Sequence, residues 1–320
     1  MTKSQLQSKL EEKEIQYAAF ENEKNQQIDG LTQKLAQKLK LFESENSDTD
    51  IDKSQDIKNV QLALDKLQSE KVTHFVYPFL ESAADWKEIL YSIRSIEKNY
   101  QGSFKIFIVG DLPEELDQSK VTFISSPGTS HKDGNQPLDI VVKLQKVVSD
   151  ERINDDFIWM NDDIYFVNPV FYEDIAILKA VENLEGLQRN ENTPYRKNLW
   201  NTFDLLKQNK CSLFNYGTHL PFVYNKEKMS ELIKRFNLKN EALLISSLYH
   251  NYFFSHAKPF ILNVSSDNIK IGIYKKNPNF TALSEFLTKK KFFNHSVTGF
   301  SENIQNILEN LFPEKSRFEK

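Results

Sequence analysis

The chain predicts an α/β fold, a mixed or parallel sheet flanked by helices, with a helical extension at the N-terminal side. Three features carry this. Apolar runs at 74–79 and 104–109 bracket an amphipathic stretch at 86–100, the pattern of a βαβ unit. A second helical pattern at 138–148 leads into another apolar run at 157–160, so strand and helix keep alternating. Residues 1–45 differ from all of this: they are rich in Gln, Lys, Glu and Leu, while nearly all aromatics lie after residue 70.

Along the chain, Leu6, Leu10, Tyr17, Phe20, Ile28, Leu31 and Leu35 recur at helical spacing. Residues 1–45 therefore read as one or two polar helices and a candidate coiled coil, the handle for a homo-oligomer. Lys13 and Lys24 at apolar positions and Gly30 break the heptad, so a solvated helix fits as well. Residues 46–58 are acidic and polar and read as a linker. The α/β domain then spans 59–320, entered through a helical pattern at 60–67.

Within it, 74–79 is the first strand, stopped by Pro78. In 86–100, Trp86, Ile89, Leu90, Ile93 and Ile96 share one helix face, with Ser82 or Asp85 as cap and Gly102 past the end. The strand at 104–109 closes at Gly110, and 121–124 is a third strand. A polar loop at 125–137 carries His131, Lys132 and Asp133; long loops between core elements often hold function. The second half is more helical, with helices at 199–207, 226–236, 241–254, 280–286 and 304–312 and a strand at 268–274.

The stretch of greatest interest is Phe157-Ile158-Trp159-Met160-Asn161-Asp162-Asp163-Ile164-Tyr165-Phe166. A short apolar run ends in an amide and two carboxylates, and apolar residues resume at once. Ligand sites in open α/β sheets lie past the carboxyl ends of strands. Adjacent carboxylates in that place suit Mg²⁺ or Mn²⁺, which neutralises a diphosphate; acid pairs at turns are also commonly just solvated. His219, in an apolar segment before Pro221, reads either as a core histidine or as a general base or phosphate contact. Lys132 suits a phosphate contact, and an inward Arg94 would hold a diphosphate bidentately; an exposed lysine and a salt bridge are the plain alternatives.

Composition excludes several classes. The formal net charge is −4 and no basic block occurs, so no nucleic-acid partner is expected. Lys289-Lys290-Lys291 reads as a solvated face or a contact to an anionic surface. Cys211 is the single cysteine, which removes an intramolecular disulfide framework and fits a cytoplasmic location. No run of about 18 apolar residues is present, so no transmembrane segment is expected. With 9 glycines and no GxGxxG or GxxxxGK[ST] pattern, a glycine-rich phosphate loop is not expected.

Three segments together resemble the second conserved region of Stealth proteins, sugar-phosphate transferases of capsular polysaccharide synthesis. They are the helix segment Glu88-Ile89-Leu90-Tyr91-Ser92-Ile93-Arg94-Ser95-Ile96-Glu97-Lys98, the strand segment Phe107-Ile108-Val109-Gly110-Asp111-Leu112-Pro113 and the corner Phe157-Ile158-Trp159-Met160-Asn161-Asp162-Asp163-Ile164-Tyr165-Phe166. Thr218-His219-Leu220-Pro221-Phe222 is similar to the family's histidine-containing region, and Phe312-Pro313-Glu314-Lys315-Ser316-Arg317-Phe318-Glu319 to the end of its short bacterial and phage members. The resemblance covers 72–320 in patches.

The resemblance implies a glycosyltransferase-A-like mixed/parallel sheet, a nucleotide-sugar donor, a glycan acceptor and Mg²⁺ or Mn²⁺. By it, Asp162 and Asp163 are the metal residues, and His219 and Asp163 the catalytic ones. Arg94, Asp111, Lys132, Asp133 and Asn161 are candidates for substrate binding. The chain departs from the family in its first region, where 75–81 lacks the expected acids and only Glu81 and Asp85 lie near. Three functions follow: transfer of a sugar-1-phosphate to a glycan hydroxyl, glycosyl transfer with release of a nucleoside diphosphate, or a glycan- or nucleotide-binding module without catalysis.

Overall fold

In the computed structural model, the strand β1 (Thr73–Phe79) lies at the centre of a five-stranded sheet. The structure describes residues 72–84, 86–126, 136–238, 242–275 and 278–320. The expected helices at 1–45 and 60–67, the linker, Asp85, His131, Lys132 and Asp133 lie outside the described residues. The chain divides between Val72 and Thr73, and the unit Thr73–Lys320 is the one described below.

After β1 come α1 (Glu88–Asn99), β2 (Phe104–Gly110), β3 (Thr122–Ser125), α2 (Gln136–Ser149) and β4 (Asp156–Trp159). The short β5 (Ile164–Phe166) follows, then α3 (Tyr172–Ala176), β6 (Lys179–Ala180), β7 (Glu182–Asn183), α4 (Pro194–Gln208) and β8 (Phe214–Asn215). The edge strand β9 (Phe222–Asn225) precedes α5 (Lys226–Arg235), α6 (Ile245–Phe253) and β10 (Phe260–Ile261). The last elements are β11 (Lys270–Ile273), α7 (Phe280–Lys289), β12 (Phe292–His295) and α8 (Glu302–Leu311).

The central sheet runs β3-β2-β1-β4-β9; the first four strands are parallel and β9 is antiparallel to β4. Phe75, Tyr77 and Phe79 of β1 join one apolar core with Ile89, Ile93 and Ile96 of α1. Val76 joins the opposite core, with α2, α5 and α6. Burial on both faces is why β1 and β2 read as continuous apolar runs rather than alternating ones. Each fully buried side chain of this kind contributes about 1.5–3 kcal/mol.

Two expectations change at the ends of β1 and α1. Pro78 does not stop β1 but pairs in register with Val109 of β2. The carbonyl of Val76 accepts from Met160 N, so residues two apart in β1 turn the same way and Pro78 faces the β4 side. There β4 has already turned away, and no partner asks for the missing N–H. The helix α1 starts later than the apolar pattern, with Lys87 as N-cap and no side-chain cap bond.

Gly110 ends β2 with φ 131°, a conformation open to glycine and rarely to other residues. A Cβ there would overlap the Phe79 carbonyl oxygen. Gly110→Ala is expected to cost about 2 kcal/mol, read as a lower urea midpoint with the slope unchanged. An unmoved midpoint would show that the β1–β2 junction gives way freely.

A second sheet runs β11-β12-β5, with β12 parallel to β11 and antiparallel to β5. It has its own core with α7 and α8. On its other side β5 meets side chains of α1. Ser92 Oγ donates to the Ile164 carbonyl at 2.6 Å, Ser95 Oγ accepts from Phe166 N at 2.9 Å, and Asn99 Nδ2 donates to the Phe166 carbonyl. The strand β12 corrects the reading of the lysine run. Lys290 is buried and paired with Asp267, Lys291 is paired with Asp174, and the run leads into the sheet interior. Among the described residues no helix is long and apolar enough to cross a membrane.

Candidate active site

Strand order reverses at β1. From there the chain builds outward through β2 to β3 and then returns to place β4 on the other side. Ligands of open α/β sheets bind at such a switch point, outside the strands' carboxyl ends. Asn161, Asp162 and Asp163 follow β4 directly and occupy this place. The turn is held on both sides: Met160 N bonds to Val76 of β1, and Ser92 of α1 takes the Ile164 carbonyl.

His219 comes to the same corner from the segment before β9. Its Nε2 lies 2.9 Å from each carboxylate oxygen of Asp163 and 3.3 Å from Asn161 Nδ2. An ionised carboxylate only accepts, so Nε2 carries the proton and Nδ1 is left as the basic nitrogen. The His219 backbone has φ 53°, in the left-handed region that non-glycine residues seldom enter. Strained backbone of this kind clusters at active sites and costs about 1–3 kcal/mol. The imidazole is about one-third exposed, so it is accessible, and it is not the core histidine of the plain reading.

Burial pushes the Asp162 carboxyl up to about 7, and the charges of Asp163 and Glu88 add to the shift. The folded value then exceeds the unfolded one, so protonation favours the fold. Stability from this group is complete below the ordinary carboxylate range and falls as pH rises toward 7. Asp162→Asn is expected to raise the melting temperature of the metal-free protein by about 5 °C at pH 8, and by less at pH 5. Equal shifts at both pH values would remove Asp162 as the strained charge.

Asp162 and Asp163 are adjacent hard oxygen donors, with the buried Glu88 contributing negative charge nearby. Among the described residues no group of three or more His, Cys, Asp or Glu is arranged to hold a metal ion. Two carboxylates fit the Mg²⁺ mode, in which substrate phosphates and water complete the shell, and do not fit an all-protein cage.

The other expected site residues separate. Arg94 is corrected: its Nε and Nη2 bind both oxygens of Glu319 at 2.8 and 2.6 Å, and its Nη1 donates to the Phe312 carbonyl. The guanidinium is taken up by the C-terminal segment and is not offered to a diphosphate. Asp111 follows β2, where its Oδ2 accepts from Glu81 N at 2.9 Å and closes the turn after β1. Lys132 and Asp133 fall outside the described residues.

Glu88 was not among the expected residues. Its signal was present: Glu88, Ser92 and Ser95 form a polar stripe at helical spacing beside the apolar one, and all three are buried. A cavity of about 280 Å³ lies beside Thr218, Leu220 and Phe222, but none of Asn161, Asp162, Asp163 or His219 lines it. A scan against protein-family models matches no family, and a search of curated proteins finds no match.

Proposed function

We propose that this domain is a nucleotide-sugar-dependent transferase of glycan or surface-polysaccharide synthesis, with a glycosyltransferase-A-like sheet. The reaction is transfer of a sugar-1-phosphate from the donor to a glycan hydroxyl. The observation that carries the reading is the Asp163–His219 pair at the switch point of the sheet.

In this mechanism Asp163 fixes the His219 tautomer, as the carboxylate of a catalytic triad does. His219 Nδ1 takes the proton of the acceptor hydroxyl while that oxygen attacks the sugar-proximal phosphorus. The bond from phosphorus to the bridging oxygen breaks, and the nucleoside monophosphate leaves with the electron pair. Asp163 then stabilises the imidazolium. A positioned base of this kind contributes about 10²–10⁴-fold. Asp162 and Asp163 would hold Mg²⁺ or Mn²⁺, whose contribution is neutralisation of diphosphate charge. Phosphoryl transfer depends mainly on positioning and electrostatics, which suits a site of acids and one histidine.

The test is a product assay: purified protein, Mn²⁺ or Mg²⁺, a panel of nucleotide sugars and oligosaccharide acceptors. Nucleoside monophosphate released only with acceptor present is the expected result. Nucleoside diphosphate would replace the reading with glycosyl transfer. Donor binding without release across the panel would replace it with a binding module.

A further inference from the structure

Strand alternation puts Lys270, Gly272 and Tyr274 on one face of β11, opposite Ile271 and Ile273. Lys270 is nevertheless buried. Its Nζ donates to the Thr218 carbonyl and lies 3.1 Å from Tyr274 Oη and 3.5 Å from Asn294 Oδ1. Among the described residues it has no carboxylate partner within salt-bridge distance, a property it shares with buried Lys179, whereas the buried Lys143 and Lys290 are paired with Asp139 and Asp267.

The place of this ammonium matters. Thr218 immediately precedes His219, and Asn294 of β12 pairs with Ile164 of β5, the residue after Asp163. Lys270 thus holds the carbonyl of the residue before His219 and, through Asn294, adjoins the strand that follows Asp163. On the two residues whose oxygens it contacts, Asn294 Nδ2 and Thr218 Oγ1 are buried without a hydrogen-bond partner. Orphaned polar atoms are rare in folded proteins. An unneutralised ammonium, an amide donor and a hydroxyl, with no negative charge among them, are complementary to an oxyanion.

Tyr274 lies against this ammonium. It folds back over Gly272, where any side chain would collide with its hydroxyl. The tyrosine is half-exposed, and its hydroxyl reaches the Lys270 ammonium. We propose that Lys270, with Asn294, is a phosphate-binding site for the donor's diphosphate, and that the Tyr274 hydroxyl occupies it until substrate arrives. The inference rests on the transferase reading of the neighbouring corner.

Calorimetric titration of the full chain with inorganic pyrophosphate, with and without Mn²⁺, tests it. Lys270→Gln, which keeps a donor for Thr218, is expected to weaken binding by about 10-fold in both conditions, and Lys270→Arg to recover most of it. Tyr274→Phe removes the competing hydroxyl and is expected to tighten binding by about 3-fold, which a purely structural lysine would not do. Should Lys270→Gln fail to fold, Tyr274→Phe decides alone. Unchanged pyrophosphate binding in a folded Lys270→Gln, or in Tyr274→Phe, overturns the site. If Asp163→Asn loses the Mn²⁺-dependent part while Lys270→Gln binds normally, only the Lys270 assignment fails. If Lys270→Gln weakens binding while Asp163→Asn does not, the Lys270 site stands and the metal corner fails. A wild-type chain that binds no pyrophosphate in either condition overturns both.

Discussion

Asp163→Asn is expected to lower turnover by about 10⁴-fold while leaving the melting temperature nearly unchanged. The two expectations have different causes. An asparagine amide has the shape of the carboxylate but donates as well as accepts, so it can turn its NH₂ toward His219 Nε2 and shift the ring proton to Nδ1. The basic nitrogen then faces the wrong partner, and the charge that stabilises the imidazolium is gone. Stability changes little because the asparagine keeps a hydrogen bond to His219 and removes the repulsion that Asp163 exerts on the Asp162 carboxyl. Nucleotide release and thermal unfolding, measured on the same preparation, check both. Turnover near the wild-type rate in a folded variant would remove Asp163 from the mechanism.

Arg94→Ala or Glu319→Ala is expected to cost about 3–5 kcal/mol, the largest stability loss among these changes. The side chains are 11% and 2% exposed, and truncating either strands a charge away from water. Burial works against ionisation of Glu319, but the bonds from Arg94 and Ser316 prevail and hold its carboxyl below the ordinary value. That stabilisation is present above the unfolded carboxylate range and is lost as pH falls through the lower folded value. The paired change Arg94→Met with Glu319→Leu is expected to restore most of the loss, since no lone charge remains. Denaturant unfolding of the two single variants and the pair gives the comparison. If the pair is as unstable as the singles, packing and not charge explains the loss.

Arg94 also shows what the sequence leaves open. Its partner is 225 residues away, and helix periodicity says only that Arg94 is beside the apolar face, not what covers it. The strands β1, β2 and β4 were legible because burial on both faces leaves no polar alternation. The acidic corner was legible because two carboxylates ended an apolar run. Lys270 was not, because a lysine opposite Ile271 and Ile273 has the pattern of a solvent-facing residue, and only the tertiary approach of Thr218 buries it. β12 was obscured by the lysines before it and by Asn294 and His295 within it. Its burial comes from β11, from the flanking helices α7 and α8, and from β5, which is distant in sequence. The two-residue strands β6, β7, β8 and β10 are too short to leave any periodic signal.

The side chains of Ser92, Ser95 and Asn99 against β5 bear on how the protein avoids associating with itself. An unpaired strand edge is a template on which a second polypeptide can lay down another strand. A neighbouring strand would have satisfied β5 and carried the same exposed template to its own outer side. A helix that offers alcohols and an amide satisfies Ile164 and Phe166 and has no such side to pass on. At β5 the sheet therefore ends, and it ends one residue from Asp163. Strand addition, the common route from an open sheet to an aggregate, is closed off beside the residues on which the chemistry depends.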